Sequence, residues 1–152
     1  MKDNKIELKC ADLVQENYKK TLFDLVNARN FLDIYKDERD VFNEYLNEEY
    51  QDLNHYEDFF EYVGQYGLCF DYVEPNTFKD QEIGYFRWQL SWGGPGDEFR
   101  IYMDGSNIDY IEYWYLDWFD GASICIDDDI IYNICNDLIL LNGYNIKNRG
   151  EL

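Results

Sequence analysis

Residues 83–119 read IGYFRWQLSWGGPGDEFRIYMDGSNIDYIEYWYLDWF, and this stretch decides the fold. From Ile83 to Trp92 the side chains alternate. Phe86, Trp88, Leu90 and Trp92 take one face, while Tyr85, Arg87, Gln89 and Ser91 take the other. A period of two marks a half-buried β-strand, because successive Cβ atoms point to opposite sides of the backbone. Gly93-Gly94-Pro95-Gly96 supplies a turn, after which Phe99, Ile101 and Met103 resume the apolar face with Arg100 and Tyr102 outward. Asp104-Gly105-Ser106-Asn107 predicts a second turn, since glycine and asparagine accept the positive φ that tight hairpins need. Ile108 to Phe119 reads as one long aromatic strand, and residues 67–73 as a preceding one with Leu68, Phe70 and Tyr72 on one side. Short connections between successive strands argue for an antiparallel meander of four.

On either side of this block the period changes to that of helices. Over residues 11–30, Val14, Tyr18, Leu22, Leu25 and Val26 recur at helical spacing. A second helix is predicted over 37–52, with Val41, Phe42, Tyr45, Leu46 and Leu53 on its apolar side. A short third helix is predicted over 54–64, carrying Tyr56, Phe59, Phe60 and Val63 inward and broken by Gly64 and Gly67. The last helix starts at Asp127-Asp128-Asp129, where a helix N-terminus favours negative charge. It carries Ile130, Ile131, Ile134, Cys135, Leu138 and Leu141 as its stripe and stops at Asn142-Gly143. The expected fold class is therefore α+β: N-terminal helices, a four-stranded antiparallel sheet and a C-terminal helix, in one domain spanning 1–152.

The composition narrows the possible functions. With 46% hydrophobic and 19% aromatic residues in 152 positions, the chain can bury a core and lacks the signature of disorder. No apolar run of membrane-spanning length occurs, and the N-terminal MKDNKIELKC lacks the apolar stretch of a signal peptide. A cytoplasmic protein without membrane contact is expected. Cys10, Cys69, Cys125 and Cys135 form no CxxC pair, and His55 is the sole histidine. Neither a zinc site nor a disulfide framework is expected, and the cysteines should be reduced and mostly buried.

Catalytic arrangements find little support. Ser91, Ser106 and Ser123 lie outside any GxSxG context. His55 could meet Cys69 or Cys125, but a structural or surface histidine is preferred. The GGPG at 93–96 lacks the GK[ST] ending of a phosphate loop. Asp117, Asp120 and Asp127–Asp129 could converge on Mg²⁺ or Ca²⁺, but without EF-hand spacing a strand-end turn followed by an acidic helix start is the preferred reading. The expectation is a non-enzyme with no metal and no cofactor.

Charge is the strongest signal. Thirty-two acidic residues against thirteen basic ones leave −19. No Lys or Arg occurs between Asp40 and Phe78, or from Ile101 to Ile146. The candidate partner-binding acids lie in these tracts: Asp40, Glu44, Glu48, Glu49, Asp52, Glu57, Asp58 and Glu61 as the main group, with Asp104, Asp109, Asp127, Asp128 and Asp129 as secondary candidates. Two carboxylates roughly 6 Å apart repel by about 0.7 kcal/mol in water, so clustering them costs stability and suggests a use. Acids four apart on a helix or two apart on a strand are separated by about 6–7 Å. Duplex DNA presents a phosphate per roughly 3.4 Å of axis on each strand, along a longer spiral path. Rows such as Asp40, Glu44, Glu48 and Asp52 can therefore stand in for a phosphate row before a protein that grips DNA with Lys and Arg. Fifteen tyrosines, among them Tyr85, Tyr102, Tyr113 and Tyr115 on the expected outer sheet face, give an alternative: a protein–protein adaptor with an aromatic interface.

The stretch YFRWQLSWGGPGDEFRIYMD followed by IEYWYLDWFDGA, within Tyr85–Ala122, resembles a block in small proteins of phages and other mobile elements. In size and charge the whole chain is similar to phage-encoded anti-CRISPR and anti-restriction proteins. The resemblance implies non-catalytic inhibition of a host defence complex, in the host cytoplasm. The partner would be a Cas or restriction subunit whose nucleic-acid or PAM-reading surface is occupied, with no direct contact to nucleic acid.

Overall fold

This computed structural model describes residues 9–34, 53 and 55–142. They fall into two compact units, one of residues 19–67 and one formed by residues up to 18 together with 68 onward. Among the described residues no helix is long and apolar enough to cross a membrane.

The second unit is built on a sheet of five antiparallel strands in sequence order: β1 (Cys69–Val73), β2 (Tyr85–Ser91), β3 (Gly96–Asp104), β4 (Asn107–Asp117) and β5 (Asp120–Ile126). The class and the meander agree with the sequence reading, but the strand count does not. The aromatic run expected to continue to Phe119 turns at Trp118-Phe119, and DGASICI returns as a fifth strand pairing Asp117 with Asp120 and Ile111 with Ile126. Ala122, Ile124 and Ile126 alternate with Ser123 and Cys125, a period-two signal weakened by its small residues.

The register defines the two faces. Phe70, Tyr72, Phe86, Trp88, Phe99, Ile101, Ile111 and Tyr113 share the inner face. Trp88, Phe99 and Tyr113 form its aromatic centre, with Phe99 5.5 Å from Trp88 and 5.2 Å from Tyr113 between ring centroids. Two helices carry apolar stripes to this unit. α1 (Cys10–Arg29) places Cys10, Val14 and Tyr18 on one side at four-residue spacing, all buried, and Tyr18 meets the rings of Phe99 and Tyr113. α3 (Asp129–Leu141) lies against β4 and buries Ile130, Ile131, Ile134, Cys135, Leu138 and Ile139. Ile139 takes the place expected for Leu141, which is exposed.

Tyr113 and Tyr115 therefore do not belong to the outer face, because Tyr113 stands opposite Phe99 and Tyr115 opposite Asp97. Both parities of IEYWYL carry large aromatic or apolar side chains, with Glu112 the exception, and the pairing of Ile101 with Ile111 shows which side turns inward. Trp92 also departs from expectation. The strand ends at Ser91 after a register shift, and Trp92 is 85% exposed.

The β3–β4 turn holds to its chemistry. Gly105 sits at φ 60°, ahead of Ser106 in a two-residue connection between Asp104 and Asn107, a position where glycine avoids the Cβ clash. The β4–β5 turn does not. Trp118 adopts φ 51°, a conformation costly for a bulky side chain. Its ring is 86% exposed, so little burial offsets that strain. Trp118→Gly is expected to raise stability by about 1 kcal/mol, read as an upward shift of the urea midpoint at unchanged m-value. A downward shift would show that the indole contributes more than the backbone strain costs.

In the first unit, α1 continues through Arg29 into a π-helical turn, Asn30–Ile34. Thr21, Leu25, Ala28 and Leu32 are buried at alternating three- and four-residue spacing. The predicted third helix is α2 (Phe59–Tyr66). Gly64 lies within it, and Gly67 rather than Gly64 ends it. The helix predicted over 37–52 lies outside the described residues.

Candidate functional site

A meander sends alternate connections to opposite ends of a sheet. The β1–β2 connection, the β3–β4 turn and the segment between β5 and α3 share one end. That end gathers Glu74, Asp80, Glu82, Asp104, Asp109, Asp127 and Asp129, all exposed, with Asp128 half-buried among them. Lys79 is the one cation in these described segments. Among the described residues the ion pairs are Arg87 with Asp71 and Arg100 with Glu98, both on the outer sheet face. The two arginines nearest to hand are thus committed to other carboxylates, and Asp104, Asp109, Asp127 and Asp129 face solvent. Asp40, Glu44, Glu48, Glu49 and Asp52, in the main candidate row, lie outside the described residues.

Other acids have local duties. Asp58 caps α2 by accepting the Glu61 N–H at 2.8 Å, and Glu61 accepts the Glu57 N–H at 2.8 Å. Such reciprocal capping satisfies helix-end donors that have no intrahelical partner. Of this trio, Glu57 and Glu61 are exposed. Asp128, the N-cap residue of α3, makes no side-chain cap; its carboxylate accepts the Tyr18 hydroxyl. Asp120 accepts the Cys10 N–H at 2.8 Å at the start of α1, and that bond holds its carboxyl below the usual carboxylate range.

Asp117 and Asp120 do not converge with Asp127–Asp129. The first pair faces across the β4–β5 turn, whereas the triplet follows the far end of β5, seven residues on, or about 23 Å of strand. Among the described residues no group of three or more His, Cys, Asp or Glu side chains is placed to hold a metal ion. The four cysteines are free; Cys10 and Cys135 are buried, but Cys69 and Cys125 are exposed, against the expectation of mostly buried thiols. Burial pushes the Cys135 thiol up, and desolvation followed by Asp71 raises Cys69, the opposite of what an attacking thiolate needs. His55 is exposed, with its ring against Tyr56 at 4.0 Å.

Two buried acids on β3, Asp97 and Glu98, carried no signal in the sequence. Asp97 accepts hydrogen bonds from the Tyr113 hydroxyl at 2.6 Å, from the Asn17 amide at 3.4 Å and from the Ser91 hydroxyl. Glu98, on the outer face, pairs with Arg100 at 2.8 Å, and the Arg100 guanidinium lies over Trp114 at 4.1 Å and Tyr85 at 5.0 Å. Beside it, Arg87 forks onto both oxygens of Asp71 at 3.0 and 2.7 Å. Tyr85 itself is buried.

Concavities open on the outer face among the described residues. One, of about 530 Å³, lies between the 78–83 segment and Tyr102, Tyr110 and Trp114. Another, of about 460 Å³, lies at the end opposite the acids, where Trp92 and Trp118 flank a floor that includes Gln89 and Glu98. Phe119 is fully exposed next to it. Aromatic residues beside turn glycines, SWGGPG and DWFDG, were the available signal for these bare rings. Compared with known protein families, curated proteins and solved structures, the chain matches none.

Proposed function

We propose that this chain is a non-catalytic binding protein that inhibits a nucleic-acid-binding defence complex, a CRISPR-Cas or restriction nuclease, by offering carboxylates where the complex expects phosphates. The observation that supports the reading is the gathering at one end of the sheet of exposed acids that form no ion pair among the described residues, Asp104, Asp109, Asp127 and Asp129. A basic groove gains from such a surface what it gains from DNA: long-range steering and direct charge pairing. A cytoplasmic site of action follows from the nature of the target.

The test is displacement of labelled duplex DNA from purified Cas and restriction nucleases. The chain should displace DNA, and added salt should weaken that effect steeply. Replacing Asp104, Asp109 and Asp127 together by lysine should weaken displacement by at least about tenfold per lost contact while the circular dichroism stays native. Equal displacement by the reversed variant would reject the acidic end as the binding surface. A second reading, an adaptor that binds through aromatic side chains, is favoured by the exposure of Trp92, Trp118 and Phe119. Binding that ignores salt but is lost with these rings would favour it.

A further inference from the structure

We infer that the pocket between Trp92 and Trp118 receives an arginine side chain of the partner protein. The inference rests on the reading that this partner is basic, and it assigns a second contact at the end of the sheet away from the acids. The walls are two indoles, 85% and 86% exposed, around a space of about 460 Å³, ample for one long side chain. Large exposed aromatics that share one concavity mark a binding surface more often than scattered single ones do.

The wall is built, not loose. A Cβ on Gly94 would stand 2.5 Å from Trp118 Nε1, so the indole lies over the β2–β3 turn and would have to shift if Gly94 carried a side chain. The backbone of Trp118 is held at φ 51°, and strain of this kind is retained where surrounding structure imposes it.

The surrounding charge favours a cation. The charged side chains that line the pocket are already partnered: Arg87 is forked onto Asp71, Glu98 holds Arg100, and Asp97 is taken by Ser91, Tyr113 and Asn17. The net charge of −19 supplies a long-range pull on a cation. The same sheet face already holds one guanidinium in these surroundings: Arg100 lies over Trp114 and Tyr85 and pairs with Glu98. A planar guanidinium can stack on an indole face and still donate from its edge, which an ammonium cannot do.

The test uses blocked Gly-Arg-Gly peptide as the probe, with its lysine and citrulline counterparts, read from the indole N–H resonances. The arginine peptide should shift Trp92 and Trp118 saturably and leave the buried Trp88 in place, with lysine weaker and citrulline inert. Trp92→Ala and Trp118→Ala should each weaken binding at least about tenfold. Gly94→Ala, which keeps both tryptophans but displaces one, should weaken it too. An equal response to citrulline, or unchanged binding by all three variants, would overturn the proposal. The lysine reversals at Asp104, Asp109 and Asp127 should leave this titration unaltered, so failure of DNA displacement and failure of the pocket are read separately.

Discussion

Replacing Asp97 by alanine is expected to lower stability by about 3 kcal/mol, the cost of breaking a buried, hydrogen-bonded charged group. The carboxylate is buried and collects donors from three places: Ser91 at the end of β2, Tyr113 on β4 and Asn17 on α1. Alanine removes the carboxylate that takes the hydroxyl of buried Tyr113, whose ring packs against Tyr18 and Phe99, and with it the link from helix to sheet. Asn17 also donates to the Tyr113 hydroxyl, so part of the network survives. Asp97→Asn keeps one acceptor oxygen and should lose about 1 kcal/mol. Urea unfolding followed by tryptophan fluorescence measures both. An alanine variant within about 0.5 kcal/mol of the parent would mean that water replaces the carboxylate and that the network is not a structural tie.

Raising the pH above 10 is expected to unfold the protein cooperatively. Burial pushes the Tyr62 phenol up to about 12, with Asp24 adding to the effect. Tyr18 and Tyr102 are raised as well, first by burial and then by Asp128 and Glu112 respectively. The sign follows from linkage. An unfolded tyrosine ionises near 10.0, the ordinary value, so below that pH both states are protonated and the full stability is present. Between there and the raised folded value the unfolded state sheds protons that the folded state keeps, and stability is lost as the pH rises. Each new phenolate also adds to a charge of −19. Phenolate absorbance and loss of ellipticity should therefore rise together. If all fifteen tyrosines ionised near pH 10 while the ellipticity stayed native, the buried hydroxyls would be far more accessible than their packing implies.

Elements whose pattern is local were legible in the sequence. The alternation of Phe86 and Trp88 with Tyr85 and Arg87, the glycine turns and the apolar stripe of α3 each report on neighbours a few residues away. β5 was not legible, because Ala122 and Ser123 blur its alternation and because Trp118-Phe119, at the tip of the hairpin, looks like strand rather than turn. The candidate site divides in the same way. An excess of acids is visible in any count, but the duty of each acid is set by tertiary structure. Asp58 and Asp120 serve helix N-termini, Asp97 and Asp128 take hydroxyls, Asp71 and Glu98 hold arginines, and Asp104, Asp109, Asp127 and Asp129 are left to solvent. The bare tryptophans were misplaced for a related reason: hydrophobicity alone assigns Trp92 inward, whereas the register shift that ends β2 turns it out.

The start of the first helix is anchored to segments made long after it. Cys10 and Tyr18 each find a partner 110 residues downstream, at Asp120 and Asp128. A ribosome adding 5–20 residues per second needs about 5–20 s to cover that interval. Neighbouring strands of the meander can pair as they emerge, but the Cys10 N–H and the Tyr18 hydroxyl wait for Asp120 and Asp128. Nascent chains arrested before Asp120 should hold their N-terminal segment open to chaperones, and extension past Asp128 should close it.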